Sequence, residues 1–60
     1  MTSKEIISRL KKEGWIFKGQ TGSHTKWENP MTKKCVTVPH PKKDFTKGTL
    51  KAIFKQAGWE

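Results

Sequence analysis

The chain has 60 residues and begins with Met1, room for one domain whose core holds only about a dozen side chains. Thirteen Lys and Arg against five Asp and Glu give a formal charge of +8, with Arg9 the single arginine; such a density draws polyanions, whether nucleic acid, an acidic protein or a membrane surface, without choosing among them. Cys35 is the only cysteine, which excludes an internal disulfide and suits a reducing, cytoplasmic setting, and Met1 to Leu10 reads as neither signal peptide nor membrane segment. On composition alone, a lysine surface that serves only solubility stays open.

Thr2-Ser3-Lys4-Glu5 fits the capping box, in which a Thr hydroxyl and a Glu carboxylate satisfy free amides at a helix start. The spacing of Ile6, Ile7 and Leu10 on one arc, with Gly14 where a left-handed cap is wanted, predicts a helix over Ser3 to Glu13. Period-two runs follow at Trp15 to Lys18, His24 to Glu28 and Cys35 to Val38, which read as three strands. The breaks, Gly19 to Gly22 and Asn29-Pro30 onward, are short and rich in turn formers, so an antiparallel meander is predicted. Pro39-His40-Pro41 ends the last strand. Leu50, Ile53, Phe54 and Ala57 then form the stripe of a second helix over Lys47 to Ala57, capped by Thr46 or Asp44 and ended by Gly58. The whole chain, residues 1–60, reads as a single α+β domain in the order α-β-β-β-α.

Two helices with one apolar stripe each must pack on one face of the sheet, which leaves the other face open. Alternation sends Trp15, Phe17, Trp27, Val36 and Val38 toward the helices and Lys18, His24, Lys26 and Glu28 to the open side. Histidine is the side chain that exchanges a proton near neutrality. His24 stands beside Lys26, which would hold a phosphate next to the imidazole, although a lone surface histidine can also be idle. His40, locked between two prolines, reads first as a rigid connector and second as an RNA contact; with Lys42 and Lys43 it would approach the second helix's N-terminus, where free amides favour anions.

Other chemistries find less support. Cys35, His24, His40 and Asp44 lack the close pairing of a structural zinc site, so no metal or other cofactor is expected. Cys35 opens an apolar strand and reads as inert packing, and Ser23 has no orienting acid near a base. Gly19-Gln20-Thr21-Gly22 matches the G-x-x-G loop of KH domains, but that loop joins two helices and this one joins strands. Trp59 is the tryptophan expected nearest solvent.

Gly14-Trp15, Gly22-Ser23-His24, the run from Val36 to Asp44, Lys47-Gly48-Thr49-Leu50 and Lys55-Gln56-Ala57-Gly58 together resemble the HicA (YcfA-like) family, over almost the whole length. The resemblance implies a fold like the double-stranded RNA-binding domain. It also implies a toxin of a type II toxin-antitoxin pair that cleaves mRNA and is neutralised by a HicB-type antitoxin; with no metal site in the sequence, the expected cleavage is metal-independent. The family's functional histidine in Gly-Ser-His falls on His24. Many members carry a second histidine directly after it, where this chain has Thr25; alternation points residue 25 away from the open face, so the catalytic group should survive the difference. Lys18, Lys26, Lys42 and Lys43 are the expected RNA-binding residues. A non-catalytic RNA-binding module of the same fold, and a protein that only docks an acidic partner, are the competing readings.

Overall fold

The structure, a computed structural model, describes residues 1–59. Its elements run α1 (Ser3–Lys12), β1 (Ile16–Thr21), β2 (His24–Glu28), β3 (Cys35–Pro39) and α2 (Lys47–Ala57). The strands form one antiparallel sheet in the order β1-β2-β3, the α+β arrangement of double-stranded RNA-binding domains.

Both helices start and stop where local chemistry dictates. At α1 the Thr2 hydroxyl accepts the Glu5 amide (3.2 Å) and the Glu5 carboxylate accepts the Thr2 amide (2.8 Å), a reciprocal cap that also holds the Glu5 carboxyl below its ordinary pKa. At its end, the Gly14 amide donates to Lys11 O and the Trp15 amide to Leu10 O. Gly14 sits at φ +85°, a conformation a side chain would strain. The same pattern closes α2, with Gly58 at φ +75° and the Trp59 amide donating to Phe54 O. Thr46, not Asp44, caps α2, its hydroxyl accepting the Thr49 amide at 3.2 Å.

The core consists of Ile6 and Leu10 from α1, Trp15, Trp27 from β2, Val36 and Val38 from β3, and Ile53 and Ala57 from α2. Each large apolar side chain buried here contributes about 1.5–3 kcal/mol. Both helices pack against β3. The Gln56 carboxamide of α2 also accepts the Thr37 amide at 3.4 Å, covering part of a strand edge that would otherwise offer free donors.

Three expectations need correcting. β1 runs on through Gly19 and Gln20 to Thr21, so that only Gly22 and Ser23 lie between the paired Thr21 and His24. Gly22, at φ +58°, occupies the first central position of a two-residue hairpin turn, where glycine is favoured. Phe17 lies opposite Trp27 and meets its ring edge-on at 5.4 Å, yet it is 51% exposed, because β1 is the strand farthest from the helices' seat on β3. Cys35 is a free, exposed thiol rather than core packing, because it shares the register of Glu28 on the open face.

A four-residue cluster ties Trp59 to α1 and α2. The Trp59 indole N–H donates to Glu13 Oε1 (2.7 Å), Arg9 Nε donates to Glu13 Oε2 (3.0 Å), and the Arg9 guanidinium lies 4.1 Å over the Trp59 ring. Phe54 meets that ring edge-on at 5.3 Å. The hydrogen bond from Trp59, and then that from Arg9, hold the Glu13 carboxyl below its ordinary pKa. Trp59 is thus half-buried by this cluster and, with Trp15 and Trp27 buried, is the tryptophan nearest solvent, as expected.

Candidate functional site

β2 is the central strand, and its alternation decides the site. Thr25 and Trp27 are buried, whereas His24 and Lys26 are exposed and Glu28 is half-buried. The inward residues are tied together beneath the sheet. The Trp27 indole N–H donates to Thr25 Oγ1 (3.0 Å), and the Thr25 hydroxyl donates to Val38 O (2.7 Å). Thr25, 3% exposed, therefore spans β2 and β3 and holds the strand with His24 facing outward.

On the outer face His24 pairs with Thr21 of β1 and Pro39 of β3, at the end of the sheet beside the Gly22-Ser23 turn. Lys26 is the next outward residue, about 7 Å along the strand, and faces Gly19 and Thr37. Among the described residues it has no carboxylate partner within ion-pair distance.

Lys18 reaches the same face by a different route. The β1–β2 register shifts between Phe17 and Gly19, so Lys18 is the extra residue of a β-bulge. Its Nζ lies 3.5 Å from Glu28 Oε1. The outer face dips between these groups into an open depression of about 370 Å³ lined by Lys18, Lys26, Trp27, Glu28, Cys35 and Thr37. His24 stands just outside it, one outward position beyond Lys26.

His40, Lys42 and Lys43 are held by another part of the fold. The His40 amide donates to Ser23 O (2.6 Å), continuing the β2–β3 ladder. Its ring Nδ1 lies 2.7 Å from Ser3 Oγ, which also accepts the Lys42 amide at 2.9 Å, while the Ser3 amide donates to Lys42 O at 2.8 Å. The Ser3 hydroxyl thus joins the His40 ring and the Lys42 backbone, and the imidazole tautomer sets which of Oγ and Nδ1 donates between them. A serine next to a histidine has the geometry of an activated nucleophile, but Ser3 is 2% exposed and no substrate atom can reach it. The contact instead fastens the Pro-His-Pro connector to the start of α1, a use of Ser3 that nothing in the local pattern announces. Lys42 Nζ lies 5.5 Å from the Phe45 ring, and Lys43 is exposed.

The structure thus brings His24, Lys26 and Lys18 to one open, cationic face, with Lys42 and Lys43 on the connector that follows β3. Glu28 and Thr37 join that face without having been picked out as site residues; pairing the strands in register would have found Thr37 opposite Lys26. Among the described residues, no three His, Cys, Asp or Glu side chains cluster as metal ligands, and no helix is long and apolar enough to cross a membrane.

No curated protein matches the chain. A family model described as "HicA toxin of bacterial toxin-antitoxin" matches residues 3–59, nearly the whole chain, and the element order and open sheet face agree with what membership implies. The chain belongs to the HicA family, the toxins of bacterial toxin-antitoxin systems.

Proposed function

We propose that the chain is an endoribonuclease that cleaves mRNA with His24 as its catalytic residue and is blocked by a HicB-type antitoxin covering the same face. The observation that carries the reading is the exposed His24 beside Lys26, which has no carboxylate partner among the described residues, on the outer face of a toxin-family sheet. The 2′-oxygen of the RNA attacks the adjacent phosphorus and loses its proton, the bond to the 5′-oxygen breaks, and that oxygen is protonated as it leaves. His24 serves as the base toward the 2′-hydroxyl or as the acid toward the leaving oxygen. One positioned acid or base supplies about 10²- to 10⁴-fold, and lysine charge beside the phosphorane adds to it. In this reading Lys26 and Lys18 hold phosphates near the scissile bond, and Lys42 and Lys43 hold the strand farther along. The chemistry calls on no metal, and its setting is the cytoplasm, where messages are translated.

The antitoxin reading rests on charge: a +8 chain with an open basic face is best silenced by an acidic surface laid over it. The test is His24→Ala. Expressed without antitoxin, the parent chain should arrest growth and shorten messages, leaving 2′,3′-cyclic phosphate and 5′-hydroxyl ends in the presence of chelator. His24→Ala should do neither, yet stay folded and bind RNA and the antitoxin. A folded His24→Ala protein that still cuts RNA overturns the mechanism; salt-dependent RNA binding by the parent without cleavage would favour a non-catalytic RNA-binding module of this fold.

A further inference from the structure

We infer that the depression beside His24 is a base-reading subsite in which Glu28 selects a guanine next to the cut, an inference that rests on the RNA-binding reading of this face. The four carboxylate side chains among the described residues have different duties. Glu5 caps α1 and Glu13 binds Trp59 and Arg9, while Asp44 lies on the exposed connector. Glu28 alone of these stands on the outer sheet face, where among the described residues its one ion-pair partner is Lys18 at 3.5 Å. A surface ion pair with one half-buried partner adds little stability, and a negative charge on a phosphate-binding face opposes the backbone it must accommodate. Its placement is accounted for if the carboxylate meets a base edge instead of a phosphate.

The geometry suits that role. The depression, about 370 Å³, is at the lower end of the roughly 300–1,000 Å³ of small-molecule sites, room for one nucleobase. It opens beside Lys26, one outward position from His24. A strand whose scissile phosphate meets His24 and whose next phosphate meets Lys26 can therefore turn a neighbouring base into it. The lysine stems, Cys35 and Thr37 along its walls offer non-polar surface to the base plane. At its rim the Lys18 ammonium steadies the Glu28 carboxylate.

An ionised carboxylate only accepts hydrogen bonds. Guanine presents N1–H and N2–H side by side on its Watson–Crick edge and can donate both to the two carboxylate oxygens. Uracil presents one N–H between two carbonyls, which repel the carboxylate. Adenine and cytosine present one amino group beside a ring nitrogen acceptor and fall between. A good bidentate pair discriminates by about tenfold or more.

The experiment maps cut ends on short RNA oligonucleotides carrying all four bases at every position, with chelator present, for the 60-residue chain and for Glu28→Gln. In parallel, the His24→Ala chain with and without Glu28→Gln is titrated with guanosine- and uridine-containing oligomers, a readout that needs no cleavage. The expected result is about tenfold enrichment of guanine over uracil at one fixed offset from the cut, the same ratio in binding, and near-equality in both once Glu28 is Gln. Lys26→Gln should weaken binding for all bases and leave the ratio intact, with circular dichroism confirming that each variant folds. Equal base distributions for parent and Glu28→Gln overturn the inference, as does a Glu28→Gln effect confined to antitoxin affinity. Cutting that fails altogether while the binding ratio persists overturns the cleavage mechanism and leaves the subsite standing.

Discussion

Replacing Thr25 with Val changes shape little but deletes one hydroxyl that serves two strands. Thr25 Oγ1 accepts the Trp27 indole N–H at 3.0 Å and gives its own proton to Val38 O at 2.7 Å. Thr25 is 3% exposed and Trp27 5%, so water cannot replace the lost partner. An orphaned buried donor costs about 1–3 kcal/mol. The extra methyl of Val and its equal suitability for a strand recover part of that, leaving a net loss of about 1–2 kcal/mol. For a domain of this size, melting shifts by about 4–8 °C per kcal/mol, so Thr25→Val should melt about 4–16 °C below the parent. Circular dichroism melts of the parent, Thr25→Val and Thr25→Ser, the last keeping the hydroxyl, are the assay. Equal melting of parent and Thr25→Val, or a Ser variant no better than Val, would falsify the claim that this hydroxyl holds β2 to β3.

If Ser3 and His40 form a structural clasp, His40→Ala should lower stability by about 1 kcal/mol and leave most RNA cleavage intact; loss of cleavage matching that of His24→Ala would move His40 into the catalytic site. Glu13 has a folded pKa below its ordinary 4.5, so the unfolded chain binds its proton first as pH falls. The stabilisation is therefore complete above the unfolded value and lost as pH drops through the folded one. Urea midpoints of the parent should accordingly fall more steeply than those of Glu13→Gln below about pH 4.5, and parallel curves would remove Glu13 from the C-terminal cluster's energetics. Changing Lys18 and Lys26 together to Gln should weaken RNA binding and flatten the salt dependence by about one to two units, whereas an unchanged slope would detach both from phosphate binding.

Helix limits, strand number and the outward facing of His24 were readable in the residues because each rests on local chemistry: the Thr2–Glu5 box, the glycines after each helix, and the alternation His24-Thr25-Lys26-Trp27. The family too was legible, since its motifs are contiguous and the model match spans residues 3–59. What tertiary structure decided were the matters that depend on partners distant in the chain. Period two alone cannot tell which strand lies far from the helices, so alternation predicts a burial for Phe17 that the structure does not give it. Nor does it reveal the bulge at Lys18, which sets Gly19 rather than Lys18 opposite Lys26. Cys35 looks apolar beside Val36, but cross-strand register sets it opposite Glu28 on the open face. Ser3 and His40 are 37 positions apart, and only the closing of the chain around β3 brings them into contact. Local sequence chose the elements and their faces; long-range pairing, which no local pattern encodes, chose the neighbours that give His24 its surroundings.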